Sequence, residues 1–383
     1  MARGRAGAGR TLISKQEVAV GKSGRFIRVV PLQLENTFMT TSSNKTRARV
    51  LVALAMLVIL ILLISTPADA QAPRKVKMTL PVVALTTAPV YLAEAKGYFA
   101  QEGLSVELNV TGGGGPDIKA LIAGDVDFTY TASDQVILPW QEGKRLTMVM
   151  GVIPRALINW AMHKDVAQAK GITEKSPLAD KLKALRGLTI GSTQPGSLTA
   201  NLAAYTLRKA GLVPQQDANV IPVGSGLTWL AALEQRKVDV ALMSPPLPDT
   251  AVARGFAILL IDNARGEDPA LAEFLQQVFV TRPDVIQKDP ELVRKLVRAL
   301  LRANQWALAA KPEEIADALQ TSMGATPRDA LMTGIKATVP AYSRDGRITE
   351  RALKAAADVM EVAGILKKRP TLADIATNDF LPR

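Results

Sequence analysis

The sequence predicts an α/β protein made of two similar lobes that face each other across a cleft. Two observations carry this: a strand–turn–helix–strand pattern that occurs twice, and alternating strand and helix signals through the middle of the chain. Gly112 to Asp127 (GGGGPDIKALIAGDVD) returns as Gly224 to Asp239 (GSGLTWLAALEQRKVD). Gly112/Gly224, Gly114/Gly226, Ala120/Ala232, Leu121/Leu233, Val126/Val238 and Asp127/Asp239 coincide at one constant offset. Each copy reads as a glycine turn, a helix with apolar residues at helical spacing, and a β-branched strand, Val126 to Thr131 or Val238 to Met243. A unit that recurs once across so long an interval fits paired lobes, whereas a solenoid needs three or more closely spaced copies.

The elements follow in order. Lys75 to Leu85 predicts a strand, and Thr86-Thr87-Ala88-Pro89 a turn whose hydroxyls cap the helix Val90 to Lys96, which Gly97 stops. Leu104 to Val110 alternates as a half-buried strand and leads into the first glycine turn. After Thr131 to Asp134 come a helix, the strand Leu146 to Ile153 and the extended Leu157 to His163. A polar, basic, helical stretch at residues 165–186 precedes a second series: the strand Leu188 to Gly191, a turn Ser192 to Ser197, the helix Leu198 to Ala210 and the strand Val220 to Val223. The second copy follows, then strands Phe256 to Ile261 and Val278 to Thr281. From Pro290 the chain is helical, in segments Leu292 to Leu308, Pro312 to Met323, Arg328 to Thr338 and Thr349 to Ala363. This order implies a mostly parallel sheet in each lobe and a helical tail packed on one lobe.

The N-terminal 70 residues are of another kind. Val50 to Ile64 is a continuous apolar run behind Lys45, Arg47 and Arg49, ending at Ala68-Asp69-Ala70. A basic flank, a short apolar core and an A-x-A site describe a secretory signal cleaved after Ala70, the run being shorter than the roughly 18 to 20 residues a spanning helix needs. An uncleaved anchor is the alternative, and Met39 competes with Met1 as the start. Residues 1–70 hold ten of the 47 Lys and Arg and three of the 35 Asp and Glu. The exported part is thus near +5, without basic blocks, which excludes a nucleic-acid footprint. With no cysteine and one histidine in the chain, disulfides, thiolate metal sites and a cysteine nucleophile are excluded, and no metal site or cofactor is expected. The 48% hydrophobic content is ample for two cores.

Tyr91 to Leu104 (YLAEAKGYFAQEGL) resembles the A-x-x-K-G-[YL]-F-x-x-x-G-L signature of solute-binding proteins of ABC importers of the nitrate, sulfonate and taurine type, a family related to thiamine-pyrimidine synthases. Ala120 to Phe128, Leu188 to Gly191, and Tyr342 with Asp345-Gly346 and Ile348 resemble further segments of it, in the right order over Lys75 to Leu366. The resemblance implies a type II periplasmic binding protein fold, with lobe one at 73–160 and 277–383, lobe two at 161–276, and Leu157 to His163 and Val278 to Thr281 as crossovers. It also implies a monomeric periplasmic protein, reaching the membrane only through importer permease subunits or an uncleaved signal, that captures a sulfonate, nitrate, aromatic carboxylate or pyrimidine-like molecule. An enzyme like the thiamine-pyrimidine synthases is the alternative. That family carries a cysteine-rich motif and a first-lobe histidine, where this chain has no cysteine and reads Thr86-Thr87-Ala88-Pro89.

Ligands of α/β lobes meet the turns at the carboxyl ends of parallel strands, where helix N-termini offer free N–H groups. The candidates are therefore Thr86, Thr87 and Pro89; Gly113 and Gly114; Thr131 and Ser133; Thr193, Gln194, Gly196 and Ser197; Ser225; and Ser244. The turn Ser192 to Ser197 is the best anion site, an ordinary capping turn being its rival. Arg155 is placed to pair with an anion, or to be merely solvated. Asp127 and Asp239 read as turn formers, and Trp140, Trp160 and Trp229 as core. Because contacts between the copies differ, the ligand is expected to be held asymmetrically. No catalytic residue is assigned.

Overall fold

The computed structural model describes Arg49, residues 51–56 and residues 72–382. Arg49 and residues 51–56 are helical; most of the apolar run and the cleavage point after Ala70 lie outside the described residues. No helix among the described residues is long and apolar enough to cross a membrane.

Strands β1 (Arg74–Leu80), β2 (Leu104–Val110), β3 (Phe128–Ala132) and β4 (Thr147–Ile153) are followed by β5 (Asn159–His163), β6 (Thr189–Ser192), β7 (Asn219–Pro222), β8 (Val240–Met243), β9 (Ala257–Ile261) and β10 (Gln277–Thr281). They form two five-stranded sheets of the same plan, β2-β1-β3-β10-β4 and β7-β6-β8-β5-β9. In each sheet β1–β2–β3 or β6–β7–β8 pair in parallel, and a single antiparallel strand sits fourth: β10 between β3 and β4, β5 between β8 and β9. That strand is the first one the chain lays down after arriving from the other sheet. The segments expected as crossovers are therefore mostly interior strands, buried at all five positions. The chain passes between the sheets just before them, at 154–158 and 262–276.

Helices α1 (Ala88–Ala95), α2 (Gly114–Ala123) and α3 (Asp134–Gln141) follow β1, β2 and β3, as α4 (Leu198–Lys209), α5 (Leu227–Glu234) and α6 (Leu247–Ala253) follow β6, β7 and β8. The sequence repeat is thus α2–β3 against α5–β8, at matching places in the two sheets. The helix of copy one ends on Gly124 at φ 85°, and copy two puts Arg236 at the same place with φ 56°, a left-handed position that glycine fills without a Cβ penalty. The tail contributes α7 (Pro290–Ala309), α8 (Arg328–Thr338) and α9 (Glu350–Val362). Its long amphipathic helix α7 buries Leu292, Val293, Leu296, Val297 and Leu300 against α1 and β4 of lobe one. The tail also reaches further: α8 packs on α6, and α9 packs on both α3 and α4. One apolar cluster accordingly runs without a break from Ile118, Leu121 and Trp140 through Ala356 and Met360 to Leu202 and Ile190. The expected helix 312–323 is two pieces, Pro312–Ala318 and Gln320–Met323, and the stretch 165–186 holds two short helices, Lys164–Ala169 and Leu178–Ala184.

Candidate ligand-binding site

The two sheets point the carboxyl ends of their parallel strands at each other, and a small cavity of about 40 Å³ lies between them. From lobe one it is lined by Pro81, Val82 and Thr86 after β1, Gly113 and Gly114 after β2, and Thr131, Ala132 and Gln135 at β3. From lobe two come Thr193, Ser197, Leu198 and Thr199 after β6, and Met243 and Ser244 at β8. Ile158, Gln276 and Gln277 of the connections close one side. No lining residue is charged.

Several direct bonds hold the walls together. Thr86 Oγ1 donates to Ser244 Oγ at 3.1 Å, and the Leu85 N–H to the Pro245 carbonyl at 2.9 Å. Gln135 Nε2 donates to the Gly196 carbonyl at 2.9 Å, and Asn201 Nδ2 to Asp134 Oδ2 at 2.6 Å. The approach is close enough to exclude a side chain at Gly113, where an added Cβ would lie 2.6 Å from Gln194 Cγ. Gly113 is extended, with φ 169°, so closeness rather than backbone strain is what requires glycine there. A Cβ on Gly114 would meet Gln135 Cγ at 2.8 Å.

Two carboxyl groups sit behind the lobe-one wall, paired with no cation among the described residues. Asp117, in the first turn of α2, is pushed up to about 7 by burial, against which the hydroxyls of Thr111 and Thr131 pull it down. Asp134, at the start of α3, is pushed up to about 6 by burial, against the hydrogen bonds from Asn201 and Gln135. Desolvation of the charged form dominates in both. Asp117 Oδ2, Asp134 Oδ1 and Thr131 Oγ1 are buried without a partner of hydrogen-bonding geometry, although Thr131 stands near enough to influence the Asp117 carboxyl.

Of the residues expected from sequence, Thr86, Gly113, Gly114, Thr131, Thr193, Ser197 and Ser244 line the cavity. Gln194 and Gly196 touch the opposite lobe instead. Thr87 is turned inward, donating to the carbonyl of Val82 or Ala84, and Pro89 is buried in the first turn of α1. Ser133 gives its hydroxyl to the Leu275 carbonyl. Arg155, the expected anion partner, donates to the Ala264 carbonyl and is absent from the lining. Ser225 is also outside the lining, because Val223 and Gly224 donate back to the carbonyls of Ser192 and Thr193, so the β6 turn occupies the place the second glycine turn was expected to take. Sequence reasoning missed Gln135, Asn201 and Asp117. Asn201 stands four residues after Ser197, on the same helix face, and Gln135 follows the turn already singled out; both depend on the opposite lobe to become part of the site.

Asp127 and Asp239, expected as turn formers, bond distant partners instead. Asp127 pairs with Arg282, and Asp239 accepts from the Thr189 N–H at 2.9 Å. Trp160 and Trp229 are sealed in the core, the Trp229 indole donating to the Leu242 carbonyl at 3.0 Å.

Two sheets of this plan closing on a cavity define the fold of the ligand-binding components of ABC import systems. The chain belongs to the NMT1-like family, whose sequence model matches residues 71–322. Among curated relatives, riboflavin-binding protein RibY of Chloroflexus aurantiacus is 29% identical over 321 residues, covering 77% of this chain and 82% of its own. The putative binding protein YtlA of Bacillus subtilis is 22% identical over 296 residues, covering 77% and 85%. The alkanesulfonate-binding protein SsuA of Xanthomonas axonopodis, solved bound to MOPS, superposes with a TM-score of 0.63 at 18% identity, over 80% of this chain and 98% of that one. The nitrate-binding protein NrtA of Synechocystis gives 0.61 at 16%, over 80% and 86%. At such identities these structures establish the fold.

Proposed function

We propose that the protein is exported, sheds residues 1–70, and works as the periplasmic solute-binding component of an ABC importer, capturing a small organic molecule between its lobes. The observation that carries this is the uncharged cavity between two lobes that direct hydrogen bonds hold together. Opening breaks polar contacts between the walls, Thr86–Ser244, Gln135–Gly196 and Asn201–Asp134 among them, and has to accommodate the apolar cluster that the lobes share through α9. A ligand shifts the balance between open and closed forms by its differential affinity for the two. The importer's permease subunits would read the closed, monomeric form.

Of the ligand classes the sequence allowed, the lining favours the neutral, pyrimidine-like end over sulfonate, nitrate or carboxylate. An anion is recognised by a desolvated arginine or lysine. Here Arg155 is engaged elsewhere, and the buried ionisable groups behind the wall are acids. The name of the RibY relative, a binder of a neutral nitrogen heterocycle, supports the same direction. The thiamine-pyrimidine-synthase reading draws no support from His163, which lies at the end of β5, accepts the Asp165 N–H at 3.3 Å and is lowered chiefly by burial.

A thermal-shift screen of riboflavin, pyrimidines, aromatic carboxylates, sulfonates and nitrate tests the proposal. A ligand at about 100 times its dissociation constant adds about 2.7 kcal/mol of stability; if none of these classes shifts the melt, capture of such molecules is wrong. N-terminal sequencing of the exported form is expected to begin at Gln71, and retention in the cytoplasm would remove the transport role.

A further inference from the structure

Thr131 Oγ1, Asp117 Oδ2 and Asp134 Oδ1 are sealed from solvent without a partner in good hydrogen-bonding geometry, the Thr131 hydroxyl standing close enough to Asp117 to pull its carboxyl down. All three belong to the lobe-one wall, and Thr131 lines the cavity itself. Protons are scarce around them. The Thr111 hydroxyl has one proton for three acceptors, the carbonyls of Leu80 and Gly113 and the Asp117 carboxyl. The amide protons of Gln135 and Asn201 that reach Asp134 both go to its other oxygen, Oδ2. No lysine or arginine lines the cavity. Each carboxyl carries at most one proton for its two oxygens, so this wall offers more lone pairs than donors. Buried acceptors left unpaired are costly, and a partner that supplies the missing proton recovers that cost.

We infer that Thr131, backed by Asp117 and Asp134, is the specificity-determining contact of the cavity, and that it selects a ligand presenting N–H donors, such as a lactam, amide or amine, over an oxyanion. The inference rests on the cavity being the ligand site. An oxyanion would bring further acceptors to a wall already short of donors, next to two carboxyl groups. An N–H group completes the Thr131 lone pairs. On the facing wall the residue equivalent to Thr131 is Met243, which also lines the cavity and suits the apolar body of such a ligand rather than its polar edge.

Titration calorimetry on the purified protein decides it, with riboflavin against its N3-methyl derivative, uracil against 1,3-dimethyluracil, and nitrate and methanesulfonate as oxyanions. The expected result is that an N–H probe binds, its N-methylated counterpart binds at least about tenfold more weakly, and both oxyanions are silent. Thr131→Val should weaken the N–H probe by roughly tenfold and narrow the gap within the pair, while Thr131→Ser, which keeps the hydroxyl, should preserve both. Asp117→Asn, which puts a donor behind the wall, should narrow the gap too. Equal binding of a methylated and an unmethylated probe, or binding of an oxyanion, with either weakened by Gly113→Ala, overturns donor selection and leaves the cavity as the binding site. Silence of wild-type protein to all six probes overturns both.

Discussion

The two copies of one sequence unit keep the same apolar frame but differ sharply at a few positions beside the cleft. At the constant offset between the copies, Asp117 stands against Trp229, Thr131 against Met243, and Ser133-Asp134 against Pro245-Pro246. The first wall therefore buries carboxyl and hydroxyl groups, some of them unpartnered. The second buries an indole whose one donor is satisfied and two prolines that pack on Gly334. At these positions the first copy carries polar groups and the second carries packing, while lobe two brings its hydroxyls to the lining through Thr193, Ser197, Thr199 and Ser244. A side chain behind a wall is worth packing energy when apolar and selectivity when polar, because a buried polar group without a partner is held at a cost until a ligand completes it.

The comparison is broken most strongly at Trp229. Fully buried in the lobe-two core, it should cost about 3–5 kcal/mol when changed to alanine, read as a lowered urea midpoint. Asp117→Asn at the equivalent place should have no such cost near neutral pH. If the two substitutions destabilise equally, the division of labour between the walls is wrong.

Next in size is a pH effect of the first wall, which adds to that of Asp249 on α6, an acid that burial also pushes up to about 6. Asp117 and Asp134 are raised to about 7 and about 6 from an ordinary value of 3.8, so the native closed state binds protons that the unfolded chain has already released. Their contribution is complete below about pH 4 and is lost as pH climbs through about 6 and 7, a loss on the order of a few kcal/mol. Stability measured from pH 4 to 8 should fall across that window in the wild type and fall less in Asp117→Asn and Asp134→Asn. A profile unchanged by both substitutions would show that neither acid is desolvated as described.

These differences mark the limit of what one sequence discloses. The α/β order, the repeat and the extents of strands such as Leu104 to Val110 were legible because periodicity and turn residues are local signals. The place of β5 and β10 in the interior of the sheets was not, since a buried antiparallel strand and a crossover strand share the same apolar run. At the site, hydroxyl turns such as Thr193 to Ser197 could be read from their position before a helix. Gly113 was legible as a glycine turn but not as the point where Gln194 of the other lobe comes closest. Arg155 looked free because its acceptor, the Ala264 carbonyl, is more than a hundred residues away. The second glycine turn kept its sequence but not its place, tied back on Ser192 and Thr193.

Gly113 gives the third prediction. An alanine there meets Gln194 near its backbone, an overpacking cost of about 1–3 kcal/mol that falls on closure rather than on folding. Ligand affinity should drop about tenfold or more with the melting temperature of the free protein little changed, and small-angle scattering should report a larger radius of gyration. Gln194→Ala in the same chain should restore closure. Loss of folding in place of loss of closure would count against the contact.

The smallest expected effect is the one that discriminates ligand chemistry most sharply. Arg155→Gln removes the hydrogen bond to Ala264 beside the passage between the sheets, a loss of about 1 kcal/mol in stability. Because the guanidinium is outside the lining of the cavity, affinity for an uncharged ligand should be unchanged, and its dependence on salt should stay flat. A pairing arginine would instead cost two to three orders of magnitude in affinity on removal and leave a strong salt dependence in the wild type. Titration of Arg155→Gln at low and high salt thus separates the two chemistries by an outcome in which one predicts almost nothing. A collapse of binding in this variant would restore the anion that the sequence alone had allowed, and would require the guanidinium to leave Ala264 when the lobes close on ligand.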